Sequence, residues 1–457
     1  MESQICSNDS TSDMGSANTL LLSDIYPVLQ VFASSMGKLR FDAARERIET
    51  FRGKRNCTSS NSEDSTCHFL LQTAIQISIL ERTYFTLNFM LPRAFYRKDN
   101  TTLSSYACLK SDLCRQIDSN INCLIWPAED ICQRFVQIIN ARISLMNMYD
   151  GLTVQSLTSP NELVNLVQLL SSIMQSFLPI QKQECLFLLI DNIICEVGIV
   201  QLLFETQIAL INCEYLLSLL HLKSVNAKVR QWFLALDYSK SRSKSTSFFK
   251  LPSSIRPSST LHLCEWIEKF YFLLLSKYSL YFRSVLSPHC KQLEVDTAFT
   301  ALKEPNFVQA FMNFLRRSSP LFISLIVYRT STDLCSSSNV LLAENDDSEE
   351  CGELKKKFIL LVIFGERKIF YSFLPSISIL IQQCAESKLE SDKIKYCFDH
   401  LLCRSIFVTL IEHNIFMAIT FAKKVSEKDN AVIHFIAENS ALLRCGKICQ
   451  LLRGGSK

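Results

Sequence analysis

Over most of residues 20–286 the apolar positions recur every three or four residues, the stripe that an α-helix lays along one side. From Leu20 to about Gly53 the pattern predicts two helices with a break near Gly37. Residues 67–91 place Leu70, Ala74, Ile77, Tyr84, Leu87 and Leu91 on one stripe, and Pro92, lacking an N–H, ends it. Helical periodicity returns over 103–121, over 130–149, and from Pro160, a good first helical residue, to Phe177. A long apolar stretch over 184–221 predicts burial in spite of Asp191, Glu196 and Glu205, and residues 224–237 close the helical block. Residues 262–286, HLCEWIEKFYFLLLSKYSLYFRSVL, put Leu263, Ile267, Phe270, Leu274, Lys277 or Tyr278, Tyr281 and Val285 on a wide apolar stripe with a thin polar back. A helix of that kind is buried on most sides.

Beyond Pro305 the period changes. NFVQAFMNFLRRS reads as a helix, but LFISLIVYR (321–329) and KFILLVIFG (357–365) are short, apolar and rich in β-branched residues, as buried strands are. Residues 371–387 predict a helix, RSIFVTLIEHN and IFMAITFAK two strands joined at His413–Asn414, and SEKDNAVIHFIAENSALLRCGK a last helix capped by Ser426 and ending near Gly446. The order α, β, β, α, β, β, α suits a sheet with helices packed on it, the layout of small roadblock or longin domains. The predicted fold class is therefore α + α/β, an N-terminal all-α multi-helix bundle followed by a roadblock/longin-like α/β domain. The boundaries read as 1–19 disordered, 20–237 helical bundle, 238–260 flexible Ser-rich basic linker, 261–304 a long helix completing the bundle, and 305–457 the α/β domain with an acidic loop at 330–355.

Composition narrows the function. Hydrophobic residues make up 48% of the 457, enough for a large core, and 48 basic against 44 acidic residues leave a net charge of +4. That balance lacks the concentrated basic footprint of a nucleic-acid binder, and the basic residues of the linker fit a solvated connection better than an RNA contact. The 19 cysteines sit mostly in apolar segments with no C-x-x-C pair, which predicts reduced thiols acting as small hydrophobes inside a cell. The polar start, MESQICSNDSTSDMGSANT, carries no secretory pattern, and IFYSFLPSISILIQQCA (369–385), the run nearest to a membrane span, is short and interrupted by Pro375.

Catalytic patterns are missing. Neither a phosphate-cradling glycine loop nor G-x-S-x-G, H-E-x-x-H or an EF-hand loop occurs. Cys397, His400, Cys403 and His413 form the one metal-like cluster, yet structural zinc sites show tighter, repeated ligand pairs. The acidic pairs Asp346–Asp347 and Glu349–Glu350 lie in a loop where solvated like charges make poor general acids. No catalytic, cofactor or metal residue is assigned.

The chain nonetheless resembles the KICSTOR subunit 2 family, nearly from end to end. The segments that carry the resemblance are FASSMGKLRFDAARERIE (32–49), AFYRKDN (94–100), LLSLLHLKSVNAKVRQW (216–232), residues 262–286, EPNFVQAFMNFLRR, ISLIV (323–327) and SEKDNAVIHFIAENSALL (426–443). Its family-signature positions are Phe95, Arg97, Lys98 and Asp99, then Trp266, Lys277, Tyr281 and Phe282, as structural or interface residues. The resemblance implies a non-catalytic scaffold subunit without cofactors, cytoplasmic and peripheral at the lysosomal membrane. Its implied partners are the other KICSTOR subunits, including the large scaffold subunit, and the GATOR GAP complex, with the Rag GTPases acted on indirectly. Its implied task is to restrain TOR complex 1 when amino acids are scarce. Direct membrane insertion and nucleic acid are not expected. The alternatives are a small-molecule or lipid carrier with a pocket in the helical domain, or a small-GTPase regulator.

Overall fold

The computed structural model describes residues 22–53, 62–90, 101–119, 128–154, 157–178, 182, 184–236, 261–287, 305–329, 352–386, 393–400 and 403–453. The expected disordered segment 1–19, the linker 238–260, residues 330–351 of the acidic loop, and Phe95, Arg97, Lys98 and Asp99 lie outside these residues, whereas residues 352–355, expected to end that loop, open a helix. Helices run over Leu22–Gly37 (α1), Phe41–Gly53 (α2), Ser62–Phe85 (α3), Thr101–Ser119 (α4), Ala128–Leu152 (α5), Pro160–Ser176 (α6), Phe187–Ile211 (α7), Tyr215–Ala235 (α8), His262–Tyr281 (α9), Arg283–Leu286 (α10) and Phe307–Ser318 (α11). Then follow β1 (Phe322–Tyr328), α12 (Gly352–Lys357), β2 (Phe358–Gly365), α13 (Arg367–Glu386), β3 (Ile394–Asp399), β4 (Arg404–Glu412), β5 (Ile415–Phe421), α14 (Asn430–Leu443) and α15 (Gly446–Gln450).

The chain divides into two compact units, one made of residues 1–82, 104–140 and 179–191, the other of 83–103, 141–178 and 192–457. In the first, α1 buries Ile25, Leu29, Phe32 and Met36, spaced to form one stripe, and α2 buries Phe41, Ala44 and Ile48. Gly37 ends α1 where a Cβ would lie 2.6 Å from the carbonyl oxygen of Leu188, so only glycine allows that approach. Arg82 pairs with Asp42 at 2.8 Å and Arg134 with Glu184 at 2.8 Å. Glu81, fully buried, accepts from the Tyr106 hydroxyl at 3.0 Å.

In the second unit the five strands form one sheet in the order β2-β1-β5-β4-β3. Every pairing is antiparallel, which makes this region α+β instead of the expected α/β. Central β5 is buried at all seven residues because both faces are covered. On one face α13 sets Phe370, Phe373, Leu374, Ile377 and Ile381 against Phe322, Ile326, Ile406, Val408 and Phe416. On the other, Phe311 of α11 meets Phe364 at 5.3 Å and Phe435 of α14 at 5.2 Å. Gly365 closes β2 at φ +134°, where a Cβ would lie 2.6 Å from the carbonyl oxygen of Leu321.

Several expectations change. β3 was not anticipated: IKYCFD is half-buried throughout and, among the described residues, is an edge strand pairing with β4 alone. The apolar run 184–221 is broken at Cys213, which takes a left-handed backbone (φ 58°), so α8 starts at Tyr215. The helix over 262–286 likewise ends at Tyr281, and α10 follows Phe282. The last helix is capped by Asp429, whose carboxylate accepts from the Val432 N–H, and not by Ser426; its left-handed end is Cys445 (φ 58°), and Gly446 opens α15. Pro375 sits inside an unbroken α13 on its exposed side. The helix nearest to a membrane span among the described residues is α7, not 369–385; it is long and apolar enough, and 61% of its most apolar window is buried within the protein.

Candidate functional site

Two carboxylates inside the second unit organise its polar interior. The first is Glu196, in the middle of α7. Arg142 of α5 donates to its Oε2 at 2.6 Å, and the hydroxyls of Tyr84 and Tyr149 donate to Oε1 at 2.5 and 3.1 Å. The Arg142 guanidinium also lies 4.2 Å from the centre of the Tyr84 ring and 5.3 Å from that of Phe85. Arg142, Glu196, Tyr84 and Tyr149 are all completely enclosed. Burial first, and then the Glu196 charge, hold both phenols well above the usual tyrosine range. Burial raises the Cys264 thiol as well, with Glu196 adding to it.

The second is Glu412, the last residue of β4, next to the His413–Asn414 turn. The β4–β5 register shifts between Leu410 and Glu412. A bulge of this kind re-aims a side chain. Arg444 anchors the irregular backbone by donating from Nε to the Ile411 carbonyl at 2.9 Å and from Nη2 to the Leu410 carbonyl at 2.5 Å. Lys277 of α9 then spends its three donors on Glu412 Oε1 (2.5 Å), Gln207 Oε1 (3.0 Å) and the Leu443 carbonyl (3.1 Å). Gln207 Nε2 donates to Glu412 Oε1 at 2.8 Å and to the Leu157 carbonyl at 2.9 Å, and Tyr281 Oη donates to Oε2 at 2.9 Å. This network therefore ties α7, α9 and α14 to the sheet. Burial, then the Glu412 charge, raises the Tyr281 phenol well above its ordinary value.

Burying a charge is costly unless it is paired and its remaining hydrogen-bonding capacity is filled. Both networks meet that condition. Their atoms face neither solvent nor a cleft, and their donors are spent on internal acceptors. Such an arrangement positions helices. Four of the residues singled out in the sequence lie in or beside these networks. Lys277 and Tyr281 hold Glu412. Trp266 donates from Nε1 to the Ile448 carbonyl at 2.9 Å and meets the Tyr149 ring edge-on at 5.6 Å. Phe282, 1% exposed, packs on Tyr215 at 5.2 Å and Tyr278 at 5.0 Å. All four face the interior. Sequence reasoning placed Lys277 or Tyr278 on the stripe but missed Glu412, Glu196 and Arg142 as partners. A charged residue on an apolar stripe was the available signal.

The metal-like cluster does not assemble. Cys397 is on β3, His400 packs edge-on against Phe398 at 4.7 Å, and Cys403 is exposed. Among the described residues no three His, Cys, Asp or Glu side chains converge on a common point. An open groove of about 1580 Å³ runs between α11, α14 and α15. Phe307, Phe314, Phe435, Arg317 and Lys447 are among its lining residues, and the Phe314 and Phe435 rings stack at 4.0 Å.

These features define a protein built on interior polar ties, with helices bracing an antiparallel sheet. Residues 22–457 match the model of the family described as "KICSTOR complex C12orf66 like". The chain belongs to that family. Among similar proteins, KICSTOR subunit 2 of Xenopus laevis is 20% identical over 442 residues, spanning 94% of this chain and 97% of the relative. KICSTOR subunit 2 of Danio rerio is 21% identical over 446 residues, spanning 94% and 96%.

Proposed function

We propose that this protein is a non-catalytic scaffold subunit of a KICSTOR-type complex. In this reading it joins the other subunits, helps recruit the GATOR GAP complex to the lysosomal surface, and so restrains TOR complex 1 when amino acids run short. The observation that carries the reading is the family match across nearly the whole chain, in both the helical and the sheet-containing parts. The interior supports it, since each buried carboxylate is occupied in holding elements together. The helix before β1, the helix between β2 and β3 and the helices after β5 support a roadblock/longin-like assignment for the C-terminal domain. Half-buried β3, paired on one side only, offers an edge for strand addition by a partner.

The test is affinity capture of the tagged full chain from its own cells, with size-exclusion of the purified protein. Recovery of KICSTOR and GATOR components, and their loss from lysosomal fractions when the gene is deleted, is the expected result. Recovery of neither set, with a monomeric elution profile, would reject the proposal.

A further inference from the structure

α8 is apolar on two opposite sides. Its inner stripe, Ser218, Leu222, Val225, Val229 and Trp232, is buried. Displaced by two residues, which is about half a turn, runs an outer stripe of Leu216, Leu220, Lys223, Ala227, Arg230 and Leu234. Leu216 is 61% exposed, Leu220 59% and Leu234 69%, with Leu217 and Leu219 exposed beside them. No acidic residue occurs on the helix, whereas Lys223, Lys228 and Arg230 are all exposed. The platform is firmly held: Tyr215 stacks on Tyr278 at 5.8 Å at one end, and Trp232 donates to Asn192 at 2.6 Å near the other.

We propose that this outer stripe docks an acidic amphipathic helix from a different polypeptide. The order of residues along the axis selects that occupant. Leu216 and Leu220 fill the first turns, Lys223 and Arg230 the middle and Leu234 the last, so apolar and charged groups are separated along the helix. A bilayer surface asks for separation around the axis, with leucines beneath and cations at the rim. A second copy of the chain fits no better. Parallel pairing would set Lys223 against Lys223, and two-fold antiparallel pairing over the full stripe, centred on Val225, would set Leu220 against Arg230. A helix with apolar side chains opposite Leu216, Leu220 and Leu234, and Asp or Glu opposite Lys223 and Arg230, satisfies every position. The inference goes beyond complex membership and does not require it.

The test places a benzophenone-bearing phenylalanine at position 220 of the full chain in its own cells, and maps the photo-adducts by mass spectrometry. The expected adduct is a helical segment of another protein that carries Asp or Glu within two turns of its cross-linked apolar residue. K223E/R230E is expected to cut the yield roughly tenfold, a typical loss for truncating a central contact pair, and Glu-to-Lys changes in the captured segment to restore it. L216S is expected to cut it as well, and all variants are expected to keep the parent Tm. Adducts only with lipid, only with a second copy, or with nothing, overturn the proposal, as does a yield indifferent to charge reversal. Because the adduct is identified directly, failure of the scaffold reading and failure of this one are distinguishable.

Discussion

The Arg142–Glu196 and Lys277–Glu412 pairs solve one problem in two ways. Arg142 is a planar cation wedged between a carboxylate and aromatic faces, and the tie joins helix to helix. Lys277 is a point charge whose three donors reach a strand end, a glutamine and a helix carbonyl, and the tie joins helix to sheet. Guanidinium geometry suits the first site and a compact ammonium the second. The difference teaches that a buried charge here specifies which elements meet, while the surrounding apolar area supplies most of the free energy.

The sharpest break is removal of one carboxylate. Glu196→Ala or Glu412→Ala leaves a buried cation and two tyrosine or amide partners unsatisfied, and each should lower stability by about 3–5 kcal/mol in denaturant unfolding. The apolar double variant K277M/E412L should recover most of that loss, since it leaves no orphaned charge. A double-variant effect equal to the sum of the two single effects would show that the pair is not coupled.

Exchanging the cations separates the two designs. R142K, which loses ring contact and fork geometry, should cost about 2 kcal/mol. K277R, with no room for the larger head, should cost about 1–3 kcal/mol through strain. Each phenol then contributes through its bond to a carboxylate. Y149F and Y281F should each cost about 1.5 kcal/mol, equal effects despite the different cations.

Alkali probes the same phenols together. Tyr84, Tyr149 and Tyr281 have folded pKa values above the unfolded one, so the stability they contribute is complete below about pH 10 and lost as pH rises beyond it. Titration followed at the phenolate absorbance should show these three ionising only with unfolding, and Y84F/Y149F/Y281F should flatten the fall. Burial likewise pushes the Cys132, Cys185 and Cys213 thiols up to about 12, so an alkylating reagent at pH 8 should label exposed Cys108 and Cys403 before these three. The smallest effect belongs to the surface. Arg115→Ala, which removes the exposed ion pair with Asp112, should change stability by less than about 0.5 kcal/mol.

Much of this was legible beforehand. Phe41, Ala44 and Ile48 on α2, or the six apolar residues that flank Thr420 in β5, announce their elements through period and length alone. Less legible were the ends and the edges. Cys213 and Cys445 take left-handed conformations that their residue type does not favour, so the breaks they make carry no glycine signal. β3 alternates weakly because an edge strand is half-buried on both faces.

The sequence by itself determined the class of protein: a helical chain ending in a sheet, related along its length to KICSTOR subunit 2. Local periodicity and family segments are one-dimensional properties, readable without knowing what touches what. Only the tertiary structure decided that Lys277 meets Glu412, 135 residues away, and that Arg142 meets Glu196. An isolated charge on an apolar stripe shows that a counter-charge is required but not where in the chain it lies, because pairing follows from packing and not from spacing.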